Sequence, residues 1–267
     1  MQKTLLALAI LSFAAAASAA PDSQETPLHP IKDGRYTVST GYEYFNEKVH
    51  NDKTSVNSFT LRGRADIPLA QQHAIRAELG YIRHSFDTKA NGVTLVDGGK
   101  ADTIDLYAGY LYSPSGFKQG GLRVGGGLGY RYTDNNNRAH RTVHSPNEVD
   151  ANASVLYLKA QAEYEQDLGG GWSITPWGEA KVSLRRRIET KWSQVYTVPD
   201  ETHKGSSYGI SLGVDAQKQF TPNLALTFGP YYHYVHYKNN ARDHAGYHIN
   251  SSTTRSHGFG IRAGLRF

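Results

Sequence analysis

Cysteine is absent from the 267 residues, and methionine occurs once, as the initiator. Disulfides, thiolate metal sites and thiol redox chemistry are therefore excluded. Long apolar runs are scarce as well. After the first twenty residues nothing approaches the ~18 consecutive apolar residues of a membrane-spanning helix, so a helical membrane protein is excluded. Only 39% of residues are hydrophobic, and the mean hydropathy is −0.55. Tyrosine (18) and glycine (27) are abundant instead.

The chain begins with a basic residue, Lys3, an apolar run and a small-residue end, Ala17-Ser18-Ala19. This pattern predicts a secretory signal peptide over 1–19, with one mature domain over 20–267. The formal charge is +5, one unit of which leaves with Lys3. An exported chain does not meet nucleic acid in ordinary service, so the basic balance points to anionic surfaces or glycans. An exported chain with no disulfides, low hydropathy and much Tyr and Gly fits an outer-membrane barrel, whose lipid-facing band needs only every second residue to be apolar.

The carboxyl-terminal stretch "SHGFGIRAGLRF" has period two. Phe259, Ile261, Ala263, Leu265 and Phe267 alternate with Gly260, Arg262, Gly264 and Arg266. The same alternation recurs in "GRYTVSTGYEYF", "SFTLRGRADI", "AIRAELGYIRH", "TIDLYAGYLY", "GLRVGGGLGYRY", "LYLKAQAEYEQ", "WSITPWGEAKVSLRR", "YGISLGVDAQK" and "LALTFGPYYHYVHY", giving ten predicted strands. Short turn-rich links ("PLAQQ", "SPSGFKQGG", "DLGGG", "QFTPN") alternate with long polar ones around 47–57, 85–102, 133–154, 186–207 and 238–254. That alternation predicts an all-β fold: a ten-stranded antiparallel transmembrane barrel with short periplasmic turns, five long extracellular loops and both termini in the periplasm. In hydrocarbon every backbone group must be paired internally, so the sheet must close.

Polar parity then fills the lumen. Arg62, Arg64, Arg76, Arg123, Lys159, Lys181 and Arg262 are expected to pair with Asp66, Glu78, Asp105, Glu163, Glu179 and Asp215, because unpaired buried charge is unfavourable. The glycines beside Arg123, Arg131, Arg262 and Arg266 are expected to make room for the arginines. The result is a plug more than a pore. Tyr42, Tyr44, Tyr110, Tyr112, Tyr130, Tyr132, Tyr232 and Tyr234 are expected at the loop ends as an aromatic girdle.

Histidines crowd the loops. His140 and His144 share one, His244 and His248 another, and these four are weak metal-ligand candidates, since loop spacing fixes no coordination geometry. "ARDHAGYH" offers Asp243 and His244 for an omptin-like surface protease, but no second acid–histidine pair stands on a facing strand. "HSP" at His144 lacks a rigid support for phospholipase chemistry. No catalytic residue and no cofactor is therefore expected. In "SLRRRIETKW", parity places Arg185 and Arg187 toward the lumen and Arg186 outward at headgroup height, where it would meet lipopolysaccharide. The following loop carries Lys191, His203 and Lys204, and the last loop Lys238, Arg242 and Arg255.

Several stretches resemble the Opc adhesin/invasin family of Neisseria outer membranes: "RADIPLAQQHAIRAELGY", "IDLYAGYLY", "LRVGGGLGY", "LGGGWSITPWGEAKVSL", "GISLGVDAQKQF", "LTFGPYYH" and "YHINSSTTRSHGFGIRAGLRF". "GWSITPWGE" around Trp172, Pro176 and Trp177 is the most specific of them. The resemblance covers strands and short turns and implies a ten-stranded barrel that binds heparan-sulfate proteoglycan and sialylated saccharides, bridges through serum proteins such as vitronectin, and promotes host-cell adhesion and entry. The loops differ from the family's, so its ligand-binding residues do not transfer. From charge and aromaticity, the expected glycan contacts are Arg187, Lys191, Lys204, Lys238 and Arg242, with Trp192 and Tyr196 as stacking platforms. A monomer in contact with lipopolysaccharide is expected, and the alternatives are the omptin-like protease and a small channel.

Overall fold

The computed structural model describes residues 34–49, 52–117, 120–144 and 146–267, apart from the side chains of Tyr247 and His248. The expected signal segment 1–19 lies outside the described residues, as do His29 and His50. Ten strands close into one antiparallel barrel: β1 (Arg35–Val49), β2 (Asp52–Ala70), β3 (His73–Ala90), β4 (Val93–Tyr112), β5 (Gly121–Asn136), β6 (Ala151–Gly169), β7 (Trp172–Thr190), β8 (Glu201–Thr221), β9 (Leu224–Asn239) and β12 (Ser252–Arg266). A small ribbon, β10 (Arg242–His244) with β11 (Tyr247–Ile249), lies in the last connection. Sequential neighbours pair throughout, and β1 closes on β12 from Thr37↔Arg266 to Val49↔Thr254. No strand edge in the barrel is left unpaired, which is what a hydrocarbon surround requires.

Period two sets the facing. Val38, Leu61, Leu79, Ile210, Leu212, Phe259 and Ile261 are exposed on the outer wall, a pattern explained by lipid rather than water as their solvent. Pro176 sits inside β7, yet its missing N–H falls where the β6–β7 ladder lapses between Glu163↔Trp177 and Gln166↔Ile174.

Four details differ from the sequence reading. The links around 47–57 and 85–102 are almost wholly strand. Alternating Thr, Ser and Val continue the ladders of β1–β2 and β3–β4 upward, and Asn91-Gly92, with φ of 48° and 82°, closes the second hairpin in the left-handed region that a tight two-residue turn needs. Open connections remain in the third (137–150), fourth (191–200) and fifth (240–251) loops. Tyr110 and Tyr112 lie at the short-turn end, because β4 runs down from its hairpin, and His73 stacks against Tyr110 there. They therefore belong to a second girdle at the opposite interface from Tyr42, Tyr44, Tyr132, Tyr232 and Tyr234. Several glycines make room for aromatic rings and not for arginines: the Tyr157 ring covers Gly129 and the Tyr231 ring covers Gly260, so closely that a Cβ would collide with either.

The fourth difference is a β-bulge in β7. Ser183 faces Tyr157 and Arg185 faces Leu156, leaving Leu184 without a counterpart on β6. One extra residue inverts the parity beyond it. Arg186 consequently points into the lumen, 2.5 Å from Asn239 Oδ1 and over the Tyr237 ring, while Arg185 and Arg187 are exposed on the outer wall. This reverses the expected facing of all three arginines, because strict alternation cannot register an inserted residue.

Candidate functional site

The lumen has a closed lower part, a cavity above it and a crown of joined loops. The closed part is a lattice of charge. Arg76, 1% exposed, donates to both Asp66 oxygens at 2.6 and 2.7 Å and to both Glu163 oxygens at 2.9 and 3.0 Å. Arg123 bridges Glu163 (3.2 Å) and Glu165 (2.6 Å), and Arg35 also reaches Glu165 at 2.8 Å. Lys159 lies between Glu78 (2.9 Å) and Glu179 (3.6 Å), with its ammonium 3.7 Å from the centroid of the Tyr107 ring. Arg262 pairs with Asp215 and lies over Trp177, 4.2 Å from the ring centroid. The expected ion-pair lattice is thus present. It also includes Glu165, which shares strand parity with Glu163 and was legible by that rule, and Arg131, whose guanidinium meets Asp105 at 2.6 Å.

Above this lattice a cavity of about 630 Å³ opens toward the loop end, and a smaller one of about 100 Å³ lies below. Arg62, Trp177, Glu179 and Arg262 line both, so they form the waist between the two. The upper cavity is lined by cations (Arg62, Arg131, Lys181, Arg186) and by acids (Glu43, Glu47, Glu148, Glu179) in like measure, so it does not select anions by charge. His233 and Glu43 pair on its wall.

The loops over the mouth are tied to one another. Thr142 of the third loop bonds to the β3–β4 hairpin through Leu95 O (3.0 Å) and Thr94 O (2.7 Å). Asp150 exchanges two bonds with Gln194 of the fourth loop, at 3.0 and 2.7 Å. Glu201, buried at the start of β8, holds Arg242 of the fifth loop and accepts the Trp192 indole N–H at 3.1 Å. Burial opposes ionisation of Glu201, but the bonds from Arg242 and Trp192 outweigh it and hold the carboxyl below its usual range. Burial next to Arg242 pushes the His203 imidazole down to about 4.

The sequence-predicted contacts divide into two groups. Arg187 and Lys204 are direct cross-strand partners facing outward, and Lys238 stands exposed near the end of β9. None of the three has an ion-pair partner among the described residues. Lys191, Trp192, Tyr196 and Arg242 lie in the crown. There Trp192 and Arg242 are engaged by Glu201, Lys191 lies 3.8 Å from Glu189, and Tyr196 is exposed with its ring 6.0 Å from that of Trp192. His140 and His144 sit in the third loop, and His244 Nε2 is 3.0 Å from Pro199 O. The His248 side chain lies outside the described residues. Among the described residues no group of three or more His, Asp or Glu is assembled for a metal ion. Glu201, Asp150 and Gln194, which join the loops, were not found from sequence, since nothing in loop spacing marks a cross-loop bond.

Comparison with known proteins gives a family and a fold. Residues 31–267 match the family model described as outer membrane protein OpcA. No curated protein matches the sequence. Among solved structures, the outer membrane protease OmpT from Escherichia coli superposes with a TM-score of 0.51 at 12% identity, over 92% of this chain and 99% of that one. The translocator domain of autotransporter NalP from Neisseria meningitidis gives 0.47 at 12% identity over 97% of each chain. Ail of Yersinia pestis, solved with the heparin analogue sucrose octasulfate, gives 0.33 at 12% identity over 88% of this chain and 99% of that one. At such identities the likeness to OmpT speaks for the barrel and not for protease chemistry. With the match running over the whole closed barrel, the chain belongs to the OpcA family of outer-membrane proteins, the adhesin family that its strand motifs resemble.

Proposed function

We propose that this outer-membrane protein is a non-enzymatic adhesin that binds anionic host-surface glycans, sulfated or sialylated, with its loop end outside the cell and both termini in the periplasm. The observation that carries the reading is the set Arg187, Lys204 and Lys238, which is exposed, close to the mouth and free of acid partners among the described residues, with exposed Tyr196 in the adjoining crown. Multivalent sulfates and carboxylates suit such a surface, through charge-assisted hydrogen bonds and many individually screened contacts. Lys191, Trp192 and Arg242 serve the same face, the last two chiefly by holding its shape through Glu201. The serum-protein bridge implied by the family resemblance uses the same face.

The charge-filled waist argues against the small-channel alternative. Asp243 and His244 are adjacent residues of the short β10 strand, where neighbours point to opposite sides, which argues against the protease. The test is binding of the refolded barrel to immobilised heparin and to sialylated glycans across a salt series. Replacing Arg187, Lys204 and Lys238 together by Ala should weaken binding at least tenfold and flatten its salt dependence. Unchanged binding in the triple variant would remove this site.

A further inference from the structure

A second basic feature lies on the strands next to β9, beginning at β12, and the strand register defines it. Lys48 of β1 is directly opposite Arg255 of β12 on one side and Lys53 of β2 on the other. Lys53 is in turn opposite Lys89 of β3, and Arg255 is opposite His236 of β9. Four cations on four consecutive strands therefore stand in one cross-strand row, all exposed on the outer wall, over three strand spacings or about 14 Å. Like charges placed directly opposite one another destabilise a sheet. Among the described residues none of the four has an ion-pair partner. The outward acids nearby are Asp87 and Asp97 at the Lys89 end, and Asp87 already accepts the Gly98 N–H at 2.8 Å. Such a row is suited to a ligand that brings several negative charges to one place.

The same strands show what kind of ligand it is. Two residues nearer the membrane are Asn46, Ser55 and His257, with Asp87 of β3 opposite Ser55, a polar layer in which Asn46 Oδ1 accepts from Tyr44 and from Ser55, each at 3.2 Å. Farther down come Tyr42, Phe59, Phe259 and Ile261, all more than half exposed on the lipid-facing wall. From the apolar band toward the loops the wall thus passes from hydrocarbon-like surface to amide and hydroxyl groups and then to clustered cations. An amphiphile with acyl chains, a sugar headgroup and more than one phosphate matches that order layer by layer. We infer that the β12–β1–β2–β3 flank is a docking surface for lipopolysaccharide, with the phosphates of its bisphosphorylated glucosamine disaccharide on Arg255, Lys48, Lys53 and Lys89. The sugar lies over Asn46, Ser55 and His257, and the acyl chains lie against Phe59, Phe259 and Ile261. The inference relies on the outward-facing loop end of the proposed function but on none of its glycan contacts.

The experiment compares the refolded full barrel with a Lys48→Gln/Lys53→Gln/Arg255→Gln variant in detergent. Retention of bisphosphoryl lipid A, monophosphoryl lipid A and phosphatidylglycerol is read by native mass spectrometry, with inorganic pyrophosphate as competitor. The expected result is a tenfold or greater loss of bisphosphoryl lipid A in the variant, a smaller loss for the monophosphoryl form and no specific retention of phosphatidylglycerol. Without lipid A the variant should resist urea at least as well as the parent, since it relieves repulsion within the row. The Arg187→Ala/Lys204→Ala/Lys238→Ala variant should keep lipid A while losing heparin, which separates the two sites. Equal lipid A retention by the row variant overturns the site, and retention of phosphatidylglycerol or displacement by pyrophosphate alone overturns the assignment to lipopolysaccharide. Surface labelling of a Lys53→Cys variant on whole cells tests the orientation independently.

Discussion

Replacing Arg76 by Ala removes the most deeply buried cation of the lumen and tests whether the lattice holds the barrel together. Its guanidinium makes four contacts of 3.0 Å or less, two to Asp66 and two to Glu163. Removing one partner of a buried pair costs about 3–5 kcal/mol, because the other charge is left uncompensated. Glu163 would keep Arg123 at 3.2 Å and Arg64 at 3.9 Å, whereas Asp66 has no second cation among the described residues. The loss therefore falls mainly on Asp66 and belongs at the low end, about 3 kcal/mol. Adding Asp66→Asn to the variant removes the stranded charge and should restore about half of that loss, since residues in direct contact couple strongly. The assay is equilibrium urea unfolding in lipid vesicles, followed by the fluorescence of the three tryptophans. An Arg76→Ala barrel within about 1 kcal/mol of the parent, the range of an exposed ion pair, would refute the reasoning. A double variant no more stable than the single one would refute it as well.

Two further outcomes follow from the bulge and from the crown. Because the chain has no cysteine, single cysteines at 185, 186 and 187 can be spin-labelled on a clean background; the labels at 185 and 187 should be accessible from the outer wall and the one at 186 should be immobilised inside, and the reverse order would mean that β7 carries no bulge. In the crown, His203 titrates near 6.5 when unfolded and at about 4 when folded, so the proton binds the opened form first. Crown stability is therefore full above about pH 6.5 and falls as the pH drops toward 4. Glu201, held low by Arg242 and Trp192, stays ionised in the folded crown over most of this window, and its contribution is lost only as the pH falls further. Protection factors for amide exchange over 191–203, with the intrinsic pH dependence of exchange divided out, should be smaller at pH 4.5 than at pH 7.5, and equal protection factors would show that these groups do not hold the loops.

The strands, their number and their lipid faces were legible because hydrocarbon on one side and packed charge on the other impose strict alternation, as in Phe259 to Phe267. The lumen lattice followed from the same parity. Where alternation is broken locally, the reading failed. Leu184 looks like any other apolar residue, and only its missing counterpart on β6 reveals the bulge that turns Arg186 inward. Tyr110 and Tyr112 were placed at the wrong interface because a tyrosine at a strand end does not by itself say which end. The basic row was hidden for a related reason: Lys48, Lys53, Lys89 and Arg255 are scattered along more than two hundred residues, and register alone makes them neighbours. In the crown, Glu201 and Asp150 carry no sequence signal, since a bond between two loops depends on where both are carried.

The joined crown has a consequence for how this protein meets a ligand. Loops that move independently must each surrender their freedom when something binds, and that ordering subtracts from affinity. Here the bonds from Thr142 to the β3–β4 hairpin, from Asp150 to Gln194 and from Glu201 to Arg242 have already fixed most of the rim. An arriving polymer therefore meets one nearly rigid face instead of separate flexible arms. A change in one loop is transmitted to the next: losing Asp150, which need touch no ligand, would loosen the turn that presents Tyr196.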